Sequence, residues 1–225
     1  MTPPLAVDID GTLTDSNRAL DPRVLDPIRE WPEPVVVATG KALPYPVGLC
    51  EFLGIPVRVI AENGGAVYLA DDDELEFHGD REAAQRVVEE YRELGHEVGY
   101  GKVDFTNRWR ETELAVNLDQ PLEPLKELAA AHGMHVFDTG YAYHVTSPGV
   151  DKGEGLRAVC DRLGVGIEEF AVVGDSENDA AAFELAGTAV AVANADETAK
   201  AAADHVTEGS YGDGFLEALD SLRDA

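Results

Sequence analysis

Five short apolar runs, at residues 5–9, 35–38, 57–61, 170–173 and 189–192, constrain the fold more than anything else in this chain. Apart from Asp8 and Arg58 they contain only apolar residues, so they lack the polar face that a half-exposed strand would show. That pattern suits strands buried on both faces, as in a parallel sheet covered by helices. Four of the runs stop at a polar or glycine-rich cluster: Asp10-Gly11-Thr12, Thr39-Gly40, Glu62-Asn63-Gly64-Gly65 and Gly174-Asp175. Helical stretches fall between the runs, one opened by the cap residue Asp21 with Pro22 in its first turn, others at 152–163 and 178–186. This alternation predicts an α/β fold with a doubly wound, Rossmann-like parallel sheet, whose ligands bind beyond the carboxyl ends of the strands.

The middle of the chain follows another rule. From Asp80, apolar residues at Ala83, Ala84, Val87, Val88, Tyr91 and Leu94 mark an amphipathic helix. An alternating strand at 113–118, a helix at 121–131 and strands at 134–137 and 143–146 follow. The expected organisation is a core of residues 1–80 and 149–225, with a smaller α+β cap, 81–148, inserted into it.

Charge narrows the function classes. The 225 residues carry 17 Lys and Arg against 44 Asp and Glu, a net charge of −27. Nucleic acid is excluded as a partner, because its affinity comes from cations neutralising phosphates. Anionic membrane surfaces are disfavoured for the same reason. No apolar run approaches the ~20 residues of a membrane span. Met1-Thr2-Pro3-Pro4 has no signal-peptide character, so a cytoplasmic location is expected. An acidic, lysine-poor surface on an ordinary core also suits a salt-adapted, halophilic protein, since concentrated salt screens carboxylate repulsion.

The strand ends carry the chemistry. On a strand, Asp8 and Asp10 would share a face and reach one crevice, where one carboxylate can attack an electrophile and the other can shuttle a proton. Gly174-Asp175-Ser176-Glu177-Asn178-Asp179 opens onto the same rim and supplies oxygen ligands of the kind Mg²⁺ prefers.

Taken in order, four motifs resemble those of the haloacid dehalogenase-like phosphohydrolases: Asp8-x-Asp10-Gly11-Thr12, Thr39-Gly40, Lys152-Gly153 and Gly174-Asp175-x-x-Asn178-Asp179. The inserted cap, the Glu62-Asn63-Gly64-Gly65 stretch and the length resemble the Cof-like subgroup, and within it the archaeal phosphoglycolate phosphatases. The resemblance implies Mg²⁺-dependent hydrolysis of a small phosphorylated metabolite, 2-phosphoglycolate, through an aspartyl-phosphate. It implies Asp8 as nucleophile and Asp10 as general acid and base. Phosphate binding would fall to Thr39, Gly40, Lys152 and Asn178, and the metal to Asp8, Asp10, Asp175 and Asp179. The alternatives are a sugar-phosphate phosphatase or phosphomutase of the same superfamily, or a non-catalytic binding module on this fold.

Other signals are weaker. Lys41 is expected to be solvated, by the general rule for lysine. Asn194-Ala195 resembles a late family loop. His144 reads as a structural histidine, and Cys50 and Cys160 as small hydrophobes. A homodimer is the default assembly.

Overall fold

The computed structural model describes residues 2–223. The chain opens with β1 (Leu5–Val7), α1 (Leu25–Arg29), β2 (Val35–Ala38), α2 (Pro44–Leu53) and β3 (Arg58–Ala61). A hairpin, β4 (Ala66–Leu69) and β5 (Glu74–Phe77), follows. Next come α3 (Arg81–Glu93), β6 (Leu114–Val116), α4 (Leu122–Ala131), β7 (His135–Asp138) and β8 (Tyr143–Thr146). The last part contains α5 (Lys152–Leu163), β9 (Ala171–Gly174), α6 (Ala180–Leu185), β10 (Thr188–Ala191), α7 (Glu197–Ala202), β11 (His205–Val206) and α8 (Tyr211–Arg223).

Eight strands form the large sheet in the order β11-β10-β9-β1-β2-β3-β4-β5. The six from β11 to β3 are parallel. Leu5 and Val7 of β1 pack with Ala171 and Val173 of β9 on one face, against Phe215 and Leu219 of α8. Ala6 and Val172 turn to the other face, against Leu156 of α5 and Phe183 of α6. Both faces are therefore buried, which is why these runs show no polar alternation. Each large apolar side chain so buried contributes about 1.5–3 kcal/mol. The chain leaves β1 toward β2 and β3 on one side and returns through β9 and β10 on the other. The crevice of a doubly wound sheet therefore falls at the end of β1.

The second sheet, β6-β8-β7, is antiparallel and carries α3 and α4. Asp80 caps α3 by accepting from the Ala83 amide at 2.8 Å. The helix buries Ala83, Ala84, Val87, Val88 and Tyr91 against Leu114, Leu125 and Val145. No helix among the described residues is long and apolar enough to cross a membrane.

Two details depart from the sequence expectation. β1 ends at Val7, so Asp8 and Asp10 lie beyond the strand rather than on it. The large sheet is extended by the antiparallel β4–β5 hairpin, whose turn is the run Asp71-Asp72-Asp73. β5 is mostly exposed, and Glu74 and Glu76 alternate with Leu75 and Phe77, so it lacks the apolar density that marks the inner strands.

Candidate active site

β1 and β9 are parallel neighbours, and the Asp8 amide donates to the Val173 carbonyl at 3.0 Å. That pairing brings the residues after both strands to one rim. Gly11 turns the chain with φ +76°, and a Cβ there would lie 1.8 Å from Asp175 Oδ2. Only glycine lets the two loops approach so closely. Gly174 has a related role: a Cβ would lie 2.4 Å from the Asp179 carboxyl group.

Lys152, the first residue of α5, projects into the same place. Its Nζ donates to Asp8 Oδ1 at 2.7 Å and to Asp179 Oδ1 at 2.6 Å. Asp179 Oδ2 accepts from the amides of Asp175 and Ser176 at 3.0 and 3.1 Å. All four side chains are buried. Burial pushes Asp8 up to about 7, against the pull of Lys152. Burial, followed by the charges of Asp8 and Asp179, pushes Asp175 up to about 9. Burial alone would lower the Lys152 ammonium, but Asp179 and Asp8 outweigh it and raise it above its usual range.

Three buried carboxyl groups thus lie around one ammonium, which bonds two of them, and the deficit points to a cation. Asp8, Asp175 and Asp179 each offer an oxygen within 4.8 Å of the others. Asp175 Oδ1 is buried without a hydrogen-bond partner, and such an atom costs free energy unless something pairs with it. An all-oxygen donor set with an orphaned carboxylate oxygen fits a hard divalent ion such as Mg²⁺. Asp10 is not part of this gathering. Its Oδ2 lies 2.8 Å from Lys41 Nζ, so Lys41 is not the solvated lysine expected from sequence but the partner of Asp10.

Above the cluster lies a cavity of about 170 Å³, lined on the core side by Asp8, Asp10, Gly40, Lys41, Ser176 and Asn178. Thr39 is fully buried and its Oγ1 accepts from the Lys41 amide at 3.2 Å, so it shapes the loop beneath the cavity. Asn178 Oδ1 accepts from Ser176 Oγ at 2.7 Å, and its Nδ2 donates to Asn63 Oδ1 at 2.8 Å. Asn194, from the weakest motif, holds the rim: Nδ2 donates to the Gly11 carbonyl at 2.9 Å.

The roof comes from the second sheet and the segment before it, through Tyr100, Thr106, Arg110, Tyr141 and His144. Asn63 Nδ2 donates to Glu113 Oε2 at 2.9 Å, and Glu113 Oε1 receives Arg110 Nη1 and lies 2.7 Å from His144 Nδ1. Burial works against the Glu113 carboxylate, yet His144 and Arg110 hold it below its usual value. Glu62 accepts from the Glu111 and Thr112 amides and from Thr112 Oγ1. Glu62 and Asn63 are non-glycine residues at φ 52° and 56°, a costly conformation over-determined here by these bonds. His144 is the buried, bonded histidine expected, but it also borders the cavity. Arg110, Glu113 and Tyr141 were not singled out from sequence. The one signal available was a charged pair, Arg110 and Glu113, immediately before an apolar strand.

The sequence profile described as haloacid dehalogenase-like hydrolase matches residues 5–107 and 112–219. A phosphoglycolate phosphatase from Haloarcula marismortui is 65% identical over 223 residues, covering 99% of this chain and 98% of its own. One from Archaeoglobus fulgidus is 40% identical over 218 residues, covering 97% and 96%. A crystal structure from Thermoplasma acidophilum superposes with a TM-score of 0.87 at 28% identity, covering 99% of each chain.

Proposed function

The chain belongs to the haloacid dehalogenase-like hydrolases, and on that premise we propose that it is a Mg²⁺-dependent phosphatase of 2-phosphoglycolate. The observation that carries this reading is the buried Asp8–Lys152–Asp179–Asp175 cluster, with its excess of carboxylates at the end of β1. The substrate comes from the likeness to the Haloarcula and Archaeoglobus phosphatases. The cavity of about 170 Å³ suits a small leaving group, since pockets for drug-sized ligands run to about 300–1,000 Å³.

Asp8 is the nucleophile. Its carboxylate oxygen bonds to phosphorus as the bond from phosphorus to the leaving alcohol breaks, giving an aspartyl-phosphate. Asp10, beside it on the cavity wall, gives its proton to the departing alkoxide. Asp10 then takes a proton from a water that attacks phosphorus, and the bond to Asp8 breaks with release of inorganic phosphate. Lys152 holds Asp8 in place and offsets the charge that develops beside it. Thr39, Gly40 and Asn178 shape the loops that receive the phosphate oxygens. Asp8, Asp175 and the Asp10 backbone carbonyl would hold Mg²⁺, with Asp179 shared between that ion and Lys152. When bound, Mg²⁺ supplies positive charge to the phosphoryl group as it transfers. Residues 81–148 act as the cap that shields this chemistry from bulk water.

Steady-state hydrolysis of a phosphate-ester panel, with and without Mg²⁺, tests the reading on wild type and Asp8→Asn. The variant is expected to lose about 10⁴-fold or more in kcat. Equal turnover by the variant would remove Asp8 from its role, and a strong preference for a hexose phosphate would replace the substrate but keep the mechanism. We also propose salt adaptation, with activity falling as KCl is lowered from molar concentration to dilute buffer.

A further inference from the structure

Among the cations around the cavity, two are paired with carboxylates and a third is exposed. Lys152 is held by Asp8 and Asp179, and Lys41 by Asp10. Arg18 is exposed, its guanidinium 4.6 Å from the centre of the Tyr141 ring. Arg110 differs from these. It is 4% exposed, it borders the cavity, and it reaches it from the roof, opposite Asp8 and Asp10. Its Nη1 is taken by Glu113 and its Nε by the Thr106 carbonyl at 3.1 Å. Among the described residues its Nη2 has no hydrogen-bond partner.

The segment that carries it is held rigidly. Asn107 receives the Ala115 amide at 2.7 Å and donates to the Ala115 carbonyl at 2.8 Å, clamping the loop to β6. The same residue donates to the Asp104 carboxylate through both its amide and its side chain. A buried guanidinium that lines the cavity, fixed on two of its nitrogens and unpaired at the third, is a preorganised receptor for an anion.

We infer that Arg110 selects the leaving group, its Nη2 receiving the carboxylate of the alcohol while the phosphoryl group sits on Asp8. Glu113 is the positioning residue that aims the guanidinium. The assignment deepens the phosphoglycolate reading and rests on it. The substrate class it names is a short phosphate ester whose leaving group carries a carboxylate.

Arg110→Gln and Arg110→Lys, assayed with Mg²⁺ in molar KCl on 2-phosphoglycolate and on ethyl phosphate, test it. Ethyl phosphate has the same two-carbon frame with a methyl group where the carboxylate stands. The ratio of the two kcat/KM values is expected to fall by about 10- to 100-fold in the glutamine variant, mainly through KM. Lysine, a cation without the planar fork, should give an intermediate ratio. It keeps a positive charge beside Glu113, so it decides the matter if the glutamine variant does not fold. A wild-type ratio retained by the folded variants, whatever their absolute rates, overturns the inference and leaves Arg110 a structural residue. A wild type with no preference for 2-phosphoglycolate overturns the substrate reading beneath it instead.

Discussion

Two buried acidic clusters lie close together in this molecule and were solved in opposite ways. In the first, Asp8 and Asp179 share Lys152, and Asp175 stands beside them with its Oδ1 unpartnered. In the second, Glu62 and Glu113 have every oxygen bonded, to Arg110, Asn63 and the Glu111 and Thr112 amides, with His144 beside Glu113. Buried polar networks that are fully satisfied rigidify a structure, whereas an unsatisfied buried group stores an interaction for something else. Burial alone therefore does not mark a site. An unpaired polar atom does, Asp175 Oδ1 in the first and Arg110 Nη2 beside the second.

The largest expected effect is removal of the cation from the first cluster. Lys152→Met leaves three buried carboxylates without a counter-charge, and breaking such a pair costs about 3–5 kcal/mol. Activity should fall by about 100- to 1,000-fold as well, since a donor to the reacting centre is lost. Urea titration and steady-state kinetics measure both. A stability loss under about 1 kcal/mol would mean that the first cluster is as self-sufficient as the second.

Proton linkage separates the clusters next. Asp8 and Asp175 are raised from 3.8 to about 7 and about 9, so they favour the folded state fully below the unfolded value. That contribution is lost as pH rises through the folded values. Without metal, Tm should drop between pH 6 and pH 9, and saturating Mg²⁺ should abolish the drop. Glu113 has the opposite sign. It is held below its ordinary value, so its contribution is present above that value and disappears as pH falls. Thermal melts in EDTA and in Mg²⁺ across pH read both. A metal-free Tm that holds steady up to pH 9 would contradict the charge deficit of the first cluster.

Glu113→Gln is a milder change. Glutamine can keep part of the hydrogen bonding but leaves Arg110 without its charged partner, at a cost of about 1–3 kcal/mol. The stabilisation by Mg²⁺ should be unchanged. If the variant also lost its Mg²⁺-dependent rise in Tm, the two clusters would be one.

How much of this was legible beforehand follows the same division. The first cluster was readable because Asp8, Lys152 and Asp175 each sit at the end of a buried strand or the start of a helix, where local pattern places them. The second was not, because its bonds join residues about fifty positions apart, Asn63 to Glu113 and Glu62 to Thr112. Nothing in the periodicity of either segment encodes that docking. Lys41 failed for a related reason. A rule about average exposure cannot anticipate that Asp10, just past β1, lies 2.8 Å from its ammonium. The β4–β5 hairpin escaped notice because its outer strand is exposed and its turn is simply a run of aspartates.

Asn63 links the second cluster to the loop after β9 that carries part of the first, and the smallest predicted effect tests whether it couples them. Its Oδ1 receives Asn178, from the loop after β9, and its Nδ2 reaches Glu113. Asn63→Ala removes both bonds and puts alanine at φ 56°, so its own cost mixes lost bonding with backbone strain. A double-mutant cycle cancels the strain. With Glu113→Gln the coupling should be about 0.5–1.5 kcal/mol, because Asn63 and Glu113 are in direct contact. With Lys152→Met it should stay within the ~0.3–0.5 kcal/mol expected of independent sites, since Asn63 reaches the lysine only through the Asn178 loop. Coupling of similar size in both cycles would make Asn63 a channel between roof and floor, so that docking of the roof would itself tune the carboxyl groups of the floor. Coupling confined to Glu113 leaves the roof free to vary with the leaving group while the floor keeps one chemistry.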